Sequence, residues 1–161
     1  MPPRALYDID EQYRASSRWV ADRAYWADRV AQIAEVPSLS DTDTGTAAAA
    51  RSTLESRPLS DAAAERLANS ERLVGVTSAA MVIAAFACYL SRMTGAKQVL
   101  VALPVSARTT SVLRRSGGML VNLVPLRIET GADDTVAALT QRVQLELMGA
   151  LRRHCQVVEN A

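Results

Sequence analysis

Residues 102–127 read ALPVSARTTSVLRRSGGMLVNLVPLR, and this stretch decides what the rest of the chain is expected to form. It contains parts of two apolar runs, residues 98–105 (QVLVALPV) and residues 119–128 (MLVNLVPLRI), which flank a polar loop. Such runs are typical of strands buried on both faces, in a parallel or mixed sheet covered by helices. The loop ends in Gly117 and Gly118, which allow the backbone to turn closely into the second strand.

Helical patterns precede the first strand. Residues 8–34 place aromatic side chains among charged ones, so we expect a mostly exposed helix that its aromatic residues anchor. A helix start at Ser60 and Asp61 predicts a second helix over residues 60–70. A third is predicted from Thr77, a good N-cap, to Gly95, which suits a left-handed C-cap. Its central residues 79–88 are apolar on every face, which predicts that it is covered on most sides.

The last helix is predicted to begin near Asp134 or Thr135. Its apolar stripe consists of Val136, Leu139, Val143, Leu147 and Leu151. Residues 51–59 are expected to form a short edge strand, because Pro58 cannot donate to a ladder. The order of elements indicates an α/β fold. Two strong strands and a weak one leave apolar sheet edges exposed, so we expect that other chain segments complete the sheet and that the isolated chain self-associates.

Composition and missing motifs exclude several functional classes. A formal net charge of +1 argues against duplex DNA or an anionic membrane as a partner, and the low aromatic content of 4% argues against single-stranded nucleic acid. The chain lacks the nucleophile elbow GxSxG, a phosphate loop and a dinucleotide-binding glycine pattern. The start of the chain has no signal-peptide core, and the longest apolar stretch is too short for a bilayer. A cytoplasmic protein is therefore expected.

Few polar side chains are candidates for chemistry. Asn122 interrupts an apolar strand, which is costly unless its amide is satisfied. Either the Asn122 amide bonds neighbouring backbone across a bulge at Pro125, or Asn122 has a functional role, and both interpretations remain open. His154 and Cys155 are adjacent, so on a helix they point about 100° apart and do not form a nucleophile and base pair. With Cys88 they give no metal-ligand spacing, so no metal site is expected.

The central run resembles the late signature of condensation domains of nonribosomal peptide synthetases, which belong to the chloramphenicol-acetyltransferase-like superfamily. In that family a small-residue turn precedes a strand reading approximately Val-Asn-x-x-Pro-Leu-Arg. The matching residues here are Gly118, Asn122, Pro125, Leu126 and Arg127. Weaker similarity is carried by Leu103-Pro104-Val105 with Arg108, by residues 22–26 (DRAYW), and by His154, Gln156 and Glu159.

The resemblance implies a partial chloramphenicol-acetyltransferase-like lobe, in which helices back a mixed sheet. Residues 1–34 would be a connecting helical segment, residues 35–50 a surface loop or linker, and residues 51–161 part of the C-terminal lobe. The family forms amide bonds between thioesters that carrier proteins present on phosphopantetheine, so peptidyl carrier proteins and the N-terminal lobe are the implied partners. No directly bound cofactor is expected. The residues implied to line or shape the substrate tunnel are Arg108, Gly117, Gly118, Asn122 and Arg127.

The family's catalytic signature, His-His-x-x-x-Asp-Gly, is absent, since the chain has one histidine. We therefore expect the reactive histidine to come from the absent lobe, and the chain alone to be inactive. Arg114 and Arg115 are expected to be solvated rather than bound to a phosphopantetheine phosphate, whereas Arg108 and Arg127 are expected to have fixed partners. Two alternatives remain: a non-catalytic module that docks carrier proteins or a partner chain, and an acyltransferase completed by another polypeptide. The reading as a piece of a peptide-forming enzyme predicts that the encoding gene continues in both directions.

Overall fold

The computed structural model describes residues 3–33, 36, 39, 54–108, 111–115 and 121–153. Its elements are, in chain order, α1 (Pro3–Arg14), α2 (Ser17–Ala31), α3 (Asp61–Val74), α4 (Ser78–Thr94), β1 (Gln98–Ser106), α5 (Ser111–Arg114), β2 (Val121–Glu129) and α6 (Val136–Arg152). Gly117, Gly118, His154 and Cys155 lie outside the described residues, as does most of the linker predicted over residues 35–50.

Strands β1 and β2 lie side by side, as the apolar runs predicted. They form an antiparallel pair, in which the backbone N–H of Thr130, just after β2, donates to the carbonyl oxygen of Lys97, just before β1, over 2.8 Å. The α/β fold class is confirmed. Within the described ranges the sheet has these two strands, so the mixed sheet would need further strands.

Burial alternates along β2. Asn122, Val124, Leu126 and Ile128 are buried, and the residues between them are partly or largely exposed. Leu123, for example, is 57% exposed. The prediction that β2 is buried on both faces is therefore wrong, and the pattern is the one expected of an antiparallel strand with one packed face.

The N-terminal helical pattern divides into two helices. The single helix predicted over residues 8–34 is wrong, because the chain breaks at Ala15 and Ser16 between α1 and α2. The hydroxyl of Ser16 accepts from the backbone N–H of Trp19 at 3.2 Å and donates to the carbonyl oxygen of Tyr13 at 2.6 Å. Ser16 is thus the N-cap that starts α2, with one side-chain bond to each helix.

The predicted caps of the middle helices are confirmed. Ser60 caps α3, and Thr77 caps α4 by accepting from the N–H of Ala80 at 3.3 Å. Gly75 and Gly95 end the two helices with φ of 69° and 72°, in the left-handed region where glycine has no steric penalty. Thr135 caps α6 in the same way as Thr77, through the N–H of Ala138 at 3.1 Å.

The edge strand predicted over residues 51–59 is wrong for the part that the structure describes. Residues 54–59 have no regular structure, and Leu54 is 93% exposed. Arg57 forms an ion pair with Glu55, two residues away, so the segment satisfies its charges locally. A strand requires a neighbouring strand to bond its backbone, and none in the described ranges adjoins this segment.

The chain divides into two compact units, each with a small core. One comprises Met1–Val36, Leu100–Arg127 and Glu146–Ala161, and its buried apolar residues are Trp26, Val105, Val124, Leu126, Leu147 and Ala150. The other comprises Pro37–Val99 and Ile128–Leu145, with a core of Val76, Ala80, Ala84, Ala87, Val99, Ile128, Leu139 and Val143.

A helix can cross a membrane only if it is long and apolar enough to span the hydrocarbon core. In the described part of the chain, no single helix is long and apolar enough to cross a membrane. Helices α3 and α4 together have the required length and composition, but they are bent by 103° at the break between them.

Candidate functional site

Asn122 is the buried polar residue of β2. It is 8% exposed, and its side-chain Oδ1 accepts a hydrogen bond from the backbone N–H of Leu123 at 2.9 Å. The alternation of burial continues through Pro125 to the end of the strand, so β2 has no bulge there. Asn122 therefore bonds neighbouring backbone, as one of the two readings supposed, but without the bulge that this reading included.

Arg108 is held at the start of the loop that follows β1. Its guanidinium Nη1 donates to the carbonyl oxygen of Leu113 at 2.9 Å, and its backbone N–H donates to Ser106 Oγ at 3.3 Å. The expectation of a fixed partner is confirmed for Arg108. Arg114 and Arg115 are exposed, as expected for solvated charges.

Arg127 lies five residues beyond Asn122 on β2, so its side chain lies on the opposite face. Its backbone N–H donates to Glu146 Oε1 at 3.4 Å, and Glu146 Oε2 is 2.9 Å from Arg29 Nη2. The structure therefore places two of the predicted tunnel residues, Asn122 and Arg127, on different sides of the strand. They do not border the same space.

A buried carboxylate that sequence reasoning did not single out lies in α2. Asp22 is 4% exposed and accepts a hydrogen bond from Tyr13 Oη at 3.0 Å. Arg18 Nε and Arg153 Nε lie 3.6 and 3.9 Å from its oxygens. Because cations and a phenol surround it, Asp22 joins α1, α2 and the end of α6 rather than facing a solvent-filled site.

The aromatic pair next to Asp22 anchors α2, as the sequence predicted. Trp26 is 6% exposed and packs edge-to-face on Tyr25, with ring centroids 5.1 Å apart. The guanidinium groups of Arg29 and Arg153 lie 5.2 and 4.2 Å from the Tyr25 ring centroid. A Cβ on Gly149 would lie 2.9 Å from Tyr25 Oη, so this glycine lets α2 and α6 approach closely. Gly149 inside a helical pattern was the signal that could have indicated this contact.

The turn from β2 into α6 holds a charged cluster. Arg142 binds Asp134 through two bonds of 2.8 Å, and its Nη1 also donates to the carbonyl oxygen of Glu129 at 2.6 Å. The hydrogen bonds from Arg142 and from the N–H of Gly131 lower the pKa of Asp134 to about 2, and Asp134 in turn raises the pKa of Arg142. Both groups stay charged near pH 7, and their hydrogen bonds fix the turn.

The described side chains offer little for metal or nucleophilic chemistry. No group of three or more histidine, cysteine or acidic residues in the described ranges is placed to hold a metal ion. Cys88 is half-buried on α4 as a free thiol.

The family model for the condensation domain matches residues 7–156. The chain belongs to the condensation-domain family. The resemblance carried by residues 102–127 is thereby confirmed.

Among curated proteins, this condensation-domain chain is 31% identical over 151 residues to a dimodular nonribosomal peptide synthase of Bacillus subtilis (strain 168), covering 94% of this chain and 6% of that protein. It is 34% identical over 149 residues to an isonitrile lipopeptide synthase of Streptomyces coeruleorubidus, covering 91% of this chain and 10% of that protein. The chain therefore spans a small part of these relatives.

Solved condensation domains share the fold. The first condensation domain of the CDA synthetase is 33% identical and superposes with a TM-score of 0.81, over 91% of this chain and 32% of that chain. The starter condensation domain of rhizomide synthetase is 29% identical, with a TM-score of 0.70 over 95% of this chain and 34% of that chain. The condensation-domain fold thus extends over nearly the whole chain.

Proposed function

We propose that this chain is part of a condensation domain whose parent synthetase joins two carrier-bound thioesters through an amide bond. The observation that carries the proposal is the superposition on the first condensation domain of the CDA synthetase, with a TM-score of 0.81 at 33% identity. Both curated relatives named above are peptide or lipopeptide synthases, which supports the same reaction class.

In this reaction, the acceptor amine attacks the donor thioester carbonyl. A C–N bond forms, the C–S bond breaks, the thiol leaves and the amine loses a proton. The proton needs an acceptor or orienting group within hydrogen-bond reach of the amine. Asp134, whose pKa is about 2, is too weak a base to take this proton, and the Arg142 guanidinium has no acceptor atom. We assign it to a histidine of the complementary lobe.

This chain's own residues would shape the wall of the substrate channel. Asn122 is held by its bond to the Leu123 N–H, and Arg108 ties the segment after β1 to the carbonyl of Leu113. With Gly117 and Gly118 they would set the width of the channel on this side. Arg127, on the other face of β2, would act separately by bringing Glu146 to the strand through its N–H.

The substrates would arrive on phosphopantetheine arms of peptidyl carrier proteins, which act in the cytoplasm. Support comes from the synthases among the relatives and from the near-zero formal charge of +1, which argues against nucleic acid or membrane partners. The interaction-module alternative keeps the same carriers but has no chemical step.

A replacement experiment tests the proposal. The matched third of the CDA synthetase domain is exchanged for this chain, and amide formation from two carrier-bound thioesters is followed by mass spectrometry. We expect product from the chimera, no product from this chain alone, and none from a chimera whose catalytic histidine is changed to alanine. Turnover by this chain alone would contradict the assignment of the histidine, and a chimera that folds, binds carriers and makes no amide would favour the interaction module.

A further inference from the structure

Helix α4 exposes an apolar stripe that none of the described residues of its own unit covers. Val82, Phe86, Tyr89 and Met93 are 56%, 49%, 53% and 61% exposed. On the opposite side of the helix, Ala80, Ala84 and Ala87 are buried in the core of that unit. The expectation that α4 is covered on most sides is therefore wrong for this structure, since one whole face is open.

The spacing of the stripe residues indicates which secondary-structure element would pack on them. Its residues are separated by four, three and four positions, which is the alternation of the a and d positions of a coiled-coil seam. Exposed Ala85 lies between Val82, three residues before it, and Tyr89, four residues after it, and leaves a hole between larger side chains. A second helix with apolar residues at the same spacing would pack its side chains into such holes at a small crossing angle.

The composition of α4 is that of a buried helix and not of a solvent-exposed one. Among its 17 residues only Arg92 is charged, and no acidic residue is present. A helix that is apolar all round is normally buried on all sides. Its two ends are fixed by the Thr77 cap and by Gly95, so the stripe is presented on a rigid element.

We infer that the occupant of this stripe is an amphipathic helix supplied by the remainder of the condensation domain. This inference rests on the proposed function. The solved relatives superpose on this chain through 32% and 34% of their own length, so most of such a domain lies outside the matched part and is available to cover the face. A second copy of the chain is the competing occupant, and a carrier protein is the other.

Thiol labelling in two contexts tests the inference. In a background with Cys88→Ala and Cys155→Ala, single cysteines are introduced as Phe86→Cys and Tyr89→Cys on the stripe, and as Glu65→Cys on the exposed side of α3 as the matched control. The rate of maleimide labelling is measured in the isolated chain and in the CDA synthetase chimera. We expect positions 86 and 89 to react about tenfold more slowly in the chimera than in the isolated chain, and position 65 at the same rate in both.

The outcomes separate the occupants. Equal labelling rates in a folded chimera overturn the inference but leave the proposed function standing. If the isolated chain is labelled slowly and the rate rises on dilution, the stripe is covered by a second copy of the chain. If the chimera is labelled slowly only when a carrier protein is added, the stripe is covered by the carrier. Either result overturns the inference. A chimera that does not unfold cooperatively contradicts the proposed function itself.

Discussion

The indole Nε1 of Trp26 donates a hydrogen bond to the carbonyl oxygen of Arg153 over 3.1 Å, joining residues 127 positions apart in the chain. Arg153 directly follows α6, so the bond satisfies a backbone acceptor at a helix end that has no partner within the helix. Since the ring itself is 6% exposed, Trp26 contributes both this bond and a large buried apolar surface.

Replacing Trp26 separates these two contributions. Trp26→Phe should lower the free energy of unfolding by about 1 kcal/mol through the lost hydrogen bond, and Trp26→Ala by about 3–5 kcal/mol through lost packing. Urea unfolding followed by circular dichroism measures both. Trp19→Phe is the matched control on the same helix, because Trp19 is only half-buried and its ring contacts Arg23, and we expect a change within about 0.5 kcal/mol. Equal losses for the two phenylalanine variants would contradict the role of the Arg153 bond.

Gly149 and Tyr25 should be coupled in stability. Glycine to alanine within a helix normally stabilises by about 0.5–1 kcal/mol, but here a Cβ would lie 2.9 Å from Tyr25 Oη. We therefore expect Gly149→Ala to destabilise by about 1 kcal/mol. Tyr25 Oη is buried without a hydrogen-bond partner among the described residues, so Tyr25→Phe should cost little and should make Gly149→Ala stabilising. A double-mutant cycle by chemical unfolding measures the change of sign, and additive effects would count against the contact.

The Asp134–Arg142 pair makes stability depend on pH. The pKa of Asp134 falls from an ordinary value of 3.8 to about 2 on folding, so the folded state favours the ionised form. This contribution is complete above pH about 4 and is lost as the pH falls to about 2. Asp134→Asn should therefore reduce the free energy of unfolding near pH 7, and the difference from wild type should shrink across that window. Exposed Asp133→Asn is the control, and a difference that persists unchanged at pH 2 would exclude the linkage.

Local signals allowed the helix ends to be predicted, because caps are decided by residues within one turn. Thr77 and Gly95 bound α4 as expected, and Ser60 starts α3. The break at Ser16 was missed because the mixture of aromatic and charged residues continues across it, although Ser16 itself was a usable capping signal.

Other features depend on distant residues, which a single sequence does not pair. Residues 51–59 were expected to form an edge strand, but a strand forms only where a neighbour bonds its backbone. The apolar run of β2 predicted a strand buried on both faces. The strand has one exposed face because it belongs to an antiparallel pair that packs on one side only. Among candidate site residues, a fixed partner of Arg108 was expected. The opposite placement of Asn122 and Arg127 follows from their odd separation once both lie on one strand, and it could have been inferred from the sequence.

The sequence led us to expect self-association through exposed sheet edges, and the structure adds the open face of β2 as a second candidate surface. Val121 and Leu123 are 55% and 57% exposed on it, whereas Val124, between the buried positions, is 2% exposed. Val121→Thr with Leu123→Thr keeps residues suited to a strand while removing apolar surface, so light scattering should show less association across a concentration series, with unchanged urea unfolding. Val124→Thr is the matched control, and it should instead lower the free energy of unfolding by about 1–3 kcal/mol because it buries a hydroxyl. If the exposed double variant associates as strongly as wild type, the contact lies on another surface of the chain.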